Sequence, residues 1–109
     1  GFVPSAVRER NTVARAPEGF ALLPSYPNPA TTTPRFRFQL PERARVHVEV
    51  FNLLGESLGK TAEEEFAVGL HELALPQKLE RQGVYFYRLT AKRNGKVVYQ
   101  QTQKFLLLR

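Results

Sequence analysis

The chain reads as an all-β sandwich, and three observations carry that reading. First, apolar and polar residues alternate over 35–40 (RFRFQL) and again over 45–52 (RVHVEVFN), the period-2 pattern of strands that bury one face. Second, Gly and Pro punctuate the chain at short intervals, as they do at the corners between short strands, while no stretch sustains the 3.6-residue apolar period of an amphipathic helix. Third, Asn94-Gly95 lies between two segments rich in aromatic and branched residues, 83–89 (GVYFYRL) and 104–109 (KFLLLR). Both central residues of a type I′ turn need positive φ, which Asn and Gly tolerate best, so this is a β-hairpin.

Taken in order, residues 1–19 show no sustained periodicity. Their Arg8-Glu9-Arg10-Asn11 and Ala16-Pro17-Glu18-Gly19 suit a linker or loosely held arm, with a short strand near Val13. Order is expected from Phe20, giving one domain over 20–109. Pro24, Pro27 and Pro29 each fix φ and push the preceding residue towards extended geometry, so the segment around them is a rigid, strand-free connector. Tyr26 within it is expected to fasten the bend to the core; a ligand-stacking ring is the alternative.

The strand at 35–40 turns Phe36, Phe38 and Leu40 inward and stops at Pro41, with 42–44 as a short connection. The next strand, 45–52, turns Val46, Val48 and Val50 inward. Leu53-Leu54-Gly55 breaks its pattern, and Gly55 marks a turn with φ that other residues resist. Leu58 and Thr61 belong to a short edge strand. Glu63-Glu64-Glu65 is expected as a solvated bend that repels added strands. Residues 70–75 form another short strand closed by Pro76, and Leu79 tucks under a corner as a plug.

The closing hairpin follows. Tyr85 stands two residues after Gly83 at the start of the penultimate strand, the place of the tyrosine corner, where a Tyr hydroxyl bonds back to the nearby backbone. The expected fold is therefore an immunoglobulin-like β-sandwich of about seven antiparallel strands. Its last arm runs to residue 109 on apolar residues and one Arg, where a polar, frayed end would be ordinary. Something holds this segment down, or something reads it.

Bulk properties narrow the function classes. A chain of 109 residues buries one adequate core without metal or disulfide. The formal net charge is +6, but the cations are scattered, with Arg8, Arg10 and Arg15, then Arg35 and Arg37, then Arg43 and Arg45. A phosphate-backbone site is usually a contiguous block, so the charge reads as a solvated surface and not as a nucleic-acid interface. An anionic cell-surface polymer is a further candidate partner. The absence of Cys removes disulfides, thiolate metal sites and cysteine catalysis, and is compatible with export. No apolar run approaches the roughly 20 residues of a membrane-spanning helix. Gly1-Phe2-Val3-Pro4 does not open a signal peptide, and the chain does not begin with Met. It is expected to be a piece of a longer protein whose export signal lies upstream.

Catalytic chemistry finds little support. His47 and His71 both fall on expected strands, without the spacing of a metal site and without a third ligand, so no metal is expected. The adjacent carboxylates of residues 63–65 do not converge as a glycosidase pair must. Ser5, Ser25 and Ser57 lie in no nucleophile elbow, and no Gly-rich loop cradles a phosphate. No enzyme activity and no cofactor are expected.

Several stretches in a fixed order carry a resemblance. They are Leu22-Leu23-Pro24-Ser25-Tyr26-Pro27-Asn28-Pro29 with Thr31-Thr32-Thr33, then Phe36-Arg37-Phe38-Gln39-Leu40-Pro41, then Val48-Glu49-Val50-Phe51-Asn52-Leu53-Leu54-Gly55. After these come Gly69-Leu70-His71-Glu72-Leu73, Gly83-Val84-Tyr85-Phe86-Tyr87-Arg88-Leu89, and the terminal run from Lys104 to Arg109. Each alone is weak; in this order from Phe20 to Arg109 they resemble the C-terminal sorting domain of the type IX (Por) secretion system. That family is related in pattern to the immunoglobulin-like domain of the flagellar hook-capping protein. Two departures stand out: Glu56 follows Gly55 where Arg or another polar residue is usual, and Arg109 replaces a common Lys.

The resemblance implies an address in place of an activity. Such a domain ends an exported protein, is recognised by an outer-membrane translocon, and in many cases is removed by a surface protease as the cargo is joined to anionic lipopolysaccharide. Otherwise it remains as a cell-attachment module. The cargo, often a glycoside hydrolase or protease, lies upstream. The destination is the outer-membrane surface or the medium.

The closing hairpin is the expected recognised element, because a strand at a sheet edge can be read by main-chain pairing. The residues assigned to it are Gly83, Tyr85, Lys104, Phe105, Leu107 and Arg109, of which Tyr85, Phe105 and Leu107 are equally the residue types of a core. Two other readings remain open here. A carbohydrate-binding sandwich would use exposed rings drawn from Tyr26, Phe51, Phe86, Tyr87 and Tyr99, and a spacer within a scaffold would use none.

Overall fold

The structure, a computed structural model, describes residues 19–75 and 78–108. Of the expected linker over 1–19, all but Gly19 lies outside the described residues, as do the strand proposed near Val13, the stop at Pro76, and Arg109. The chain is all-β: β1 (Ala21–Leu22), β2 (Arg35–Leu40), β3 (Ala44–Phe51), β4 (Ser57–Lys60), β5 (Glu64–Phe66), β6 (Gly69–Ala74), β7 (Gly83–Arg93) and β8 (Lys96–Leu107). Two antiparallel sheets form the layers of a sandwich, one ordered β1-β2-β6 and the other β4-β3-β7-β8, with β5 also on β3.

The alternation in sequence becomes the inner face. Phe36, Phe38 and Leu40 of β2 and Val46, Val48 and Val50 of β3 are buried against Tyr85, Tyr87 and Leu89 of β7 and Phe105 and Leu107 of β8. Rings bridge the layers, Phe36 lying 4.8 Å from Tyr87 and 6.0 Å from Phe105 between centroids. Each such side chain contributes about 1.5–3 kcal/mol through removal of its apolar surface from water. Leu79 is buried in this core, as a plug should be.

Both turn expectations hold in detail. Asn94 has φ 52° and Gly95 has φ 77°, so the β7–β8 connection takes the positive-φ pair that an Asn-Gly hairpin requires. Gly55 has φ 86°, the left-handed geometry where a Cβ would be strained.

The strands number eight among the described residues, in line with the seven or so expected, and β1 and β5 have no counterpart among the strands read from the sequence. Two expectations are corrected. Glu64 and Glu65 are not in a free bend: they pair with Val46 and Arg45 of β3. Arg43 and Arg45 supply the counter-charges, Arg43 Nη1 reaching Glu65 at 3.5 Å and Arg45 Nε reaching Glu63 at 3.1 Å, which lets an acidic run lie along a strand. Tyr26 is no core anchor. It is 65% exposed with the Arg37 guanidinium 5.8 Å over its ring, and the bend is fastened instead by main-chain bonds between Tyr26 and Arg35 in both directions.

Candidate recognition surface

β7 and β8 pair along their whole length, from Gly83↔Leu107 at one end to Arg93↔Lys96 at the turn, with a register shift after Ala91. Tyr85 and Phe105 are direct cross-strand partners, their rings stacked at 5.3 Å. The Tyr85 hydroxyl donates to the Arg81 carbonyl, the short backward bond of a tyrosine corner, and fixes the chain just ahead of β7. Gly83, at the first position of β7, has φ 149° and open space where a Cβ would stand. Backbone conformation is thus what requires glycine there.

Of the residues assigned from sequence, Gly83, Tyr85, Phe105 and Leu107 come together at this end of the hairpin. Tyr85, Phe105 and Leu107 are buried core side chains. Lys104 projects from the opposite face of β8 into solvent, and Arg109 lies outside the described residues. Lys104 is therefore exposed at the surface, while the three apolar side chains are closed off in the core.

One device escaped the sequence. Ala30, wholly buried, forms a parallel bridge with Leu107. The Ala30 amide donates to the Leu106 carbonyl at 2.8 Å, the Leu108 amide donates to the Ala30 carbonyl at 2.7 Å, and the Leu106 amide donates to Asn28 Oδ1 at 3.0 Å. The Pro-rich connector, which carries cis peptide bonds before Pro27 and Pro29, thereby covers the end of β8. Within the sequence only Asn28 between two prolines hinted at it, an amide side chain suited to bonding backbone.

Elsewhere β8 is the edge of its sheet. Because main-chain groups alternate sides, the N–H and C=O of Lys104, Thr102 and Gln100 point the same way as those of Leu106. No strand among the described residues pairs with them there. The open edge thus runs beside Gln100–Lys104 and stops where the connector begins.

The outer face of the larger sheet divides by chemistry. Towards the β7–β8 turn it is ionic. Glu63 accepts from Arg45 Nε at 3.1 Å, with Lys92 Nζ at 3.4 Å and His47 Nδ1 at 3.9 Å, and the Arg45 bond foremost holds its carboxyl below the ordinary carboxylate value. Burial, then the Lys60 charge, lowers the His47 pKa below 6.5. His71 lies apart, its Nε2 donating to the Ala67 carbonyl at 2.7 Å and its ring packed on Phe38 and Phe66. No group of three potential metal ligands occurs among the described residues.

Towards the other end the face is apolar: Val84 opposite Leu106, then Phe86 opposite both Phe51 and Lys104. Beyond Phe51 the turn carries Leu53 and Leu54, 68% and 83% exposed. Of the five rings considered for a glycan platform, Tyr87 is buried, Tyr99 stacks on Phe20 at 5.2 Å, and Phe51 has the Arg88 guanidinium 4.8 Å over it. Tyr26 and Phe86 remain, on different parts of the molecule, and no coplanar set forms.

Comparison with known proteins gives two results. A family model described as the secretion system C-terminal sorting domain matches residues 25–104. No curated protein matches the chain.

Proposed function

Because the chain belongs to the family of secretion system C-terminal sorting domains, we propose that it is a non-catalytic address read by the type IX secretion machinery at the closing hairpin. Membership carries the coarse statement: a sorting signal for export to the cell surface or secretion through the outer membrane. The finer one is that the outer-membrane translocon reads the end of β7–β8. In this reading Gly83 and Tyr85 shape the corner, Phe105 and Leu107 hold the strand in register, and Lys104 and Arg109 offer charge at the rim.

The observation that supports it most is the covered end of β8. Bonds from Asn28 and Ala30 tie residues 106–108 to the connector, and a partner recognises a preorganised strand at lower entropic cost than a frayed one. On the same reading, residues 20–109 are the sorting domain and 1–19 its link to an upstream cargo, a glycoside hydrolase or a protease. A surface protease then separates the two, and anionic lipopolysaccharide is the attachment partner.

The test is display of a periplasm-targeted reporter fused ahead of the chain in a cell with a type IX system. Removal of residues 104–109 should leave the reporter in the periplasm. Lys104→Glu, which changes only an exposed side chain, should lower display while thermal melting stays at the wild-type temperature. Normal surface display of the truncated fusion would overturn the sorting reading.

A further inference from the structure

The turn between β3 and β4 is built to present two leucines. Asn52 Oδ1 accepts from the Leu54 and Glu56 amides, each at 2.9 Å, and its Nδ2 donates to Glu56 Oε1 at 2.7 Å. The main chain adds the Asn52 amide to the Glu56 carbonyl and the Gly55 amide to the Asn52 carbonyl, both at 3.0 Å. A turn so fully bonded ordinarily carries polar residues at its tip. Here it holds Leu53 and Leu54 out in water.

These leucines do not stand alone. Leu53 separates two grooves, one of about 330 Å³ lined by Phe51, Phe86 and Arg88 among others, and one of about 410 Å³ lined by Arg81, Gly83 and Val84 among others. Val84 and Leu106 continue the apolar surface, and a third groove of about 210 Å³ lies between them and Asn28. Contiguous apolar surface rimmed by polar groups marks an interaction site, whereas scattered leucines mean nothing.

We propose that this end of the sandwich, with the Leu53–Leu54 turn as its anchor, is a docking surface for a protein of the secretion machinery that offers apolar sockets with an acidic rim. The proposal rests on the sorting reading and locates the anchor of the contact, the Leu53–Leu54 turn, outside the closing strand. Charge selects the occupant. Lys78, Arg81, Arg88 and Lys104 stand around this end against Glu56, Glu80 and Glu49, the last 3.4 Å from Arg88, within a chain of net charge +6. A second copy would bring the same cations face to face. The relief of a rigid knob between two grooves matches the interdigitating surface of a protein, where a lipid interface offers no ridges to fill them.

The test uses the same reporter fusion with Leu53→Ser and Leu54→Ser combined, beside a control with Val68→Ser and Leu70→Ser, which are also exposed. Surface display should fall about tenfold or more in the first, as for a truncated interface anchor, and stay at the wild-type level in the second. Melting of the purified chain should be unchanged by either pair.

Wild-type display of the Leu53/Leu54 variant would overturn the docking proposal. Loss of display on removing residues 104–109 in that same experiment would leave the sorting reading standing. Sedimentation of the chain with phosphatidylethanolamine–phosphatidylglycerol vesicles that is lost in the Leu53/Leu54 variant would assign the surface to lipid and overturn the proposal. A dimer that the variant converts to monomer would overturn it in favour of a second copy.

Discussion

The Leu108 amide donates to the Ala30 carbonyl at 2.7 Å, joining the end of the last strand to a loop that precedes β2. Asn28 adds the neighbouring bond to the Leu106 amide. Asn28→Ala should cost about 1 kcal/mol of stability, the net worth of one hydrogen bond. Hydrogen exchange checks the geometry. The Leu106 and Leu108 amides should be protected in the wild type, with Leu106 losing protection in the variant, while those of Lys104 and Thr102 on the open edge exchange quickly in both.

Tyr85→Phe keeps the ring stacked on Phe105 and removes only the hydroxyl that donates to Arg81. It should lower stability by about 1 kcal/mol. Phe105→Ala removes the ring itself from a closed core and should cost about 3–5 kcal/mol. Urea titration of both variants gives the comparison, and equal losses would contradict the assigned roles.

Asn52→Ala strips the acceptor from two amides of the Leu53–Leu54 turn. A loss of about 1 kcal/mol is expected, confined to this region because both amides face water once freed. Nuclear magnetic resonance should show altered shifts at residues 52–56 with the core resonances unmoved.

His47 provides a pH signature. Burial first, then Lys60, and further the Lys92 charge depress its folded pKa, against the opposing pull of Glu63 and Glu49. A depressed folded value means that the unfolded chain takes up the proton first. The stability concerned is whole above the unfolded value of 6.5 and is lost as pH falls from there through the folded value. Between about pH 7.5 and about pH 5 the wild type should therefore lose more stability than His47→Gln, measured by urea midpoints.

Strand faces were legible because burial imposes a period of two: Phe36, Phe38 and Leu40, like Val46, Val48 and Val50, could hardly point elsewhere. The hairpin was legible because so few residues accept positive φ. Both signals are local. What the sequence hid depends on partners distant along the chain. The acidic run lies along β3 because Arg43 meets Glu65 and Arg45 meets Glu63, and the Tyr26 ring stays outside while its own main chain ties the bend to Arg35. The site divided similarly. Tyr85 announced its corner through its spacing from Gly83, whereas no local pattern could reveal that Ala30 would cover the end of β8. Leu53 and Leu54 looked like lost periodicity, since exposure is not written in residue type.

Asn28 and Leu106 stand 78 positions apart in sequence, and the bond between them closes a loop around nearly the whole domain. Closing so long a loop costs more chain entropy than a local contact does, and the ordered strands between hold the two ends in reach. A chain that stops short of Leu106 cannot form this bond at all. The buckle at Ala30 thus makes the connector and residues 106–108 one unit, so that whatever loosens either strand of it loosens both.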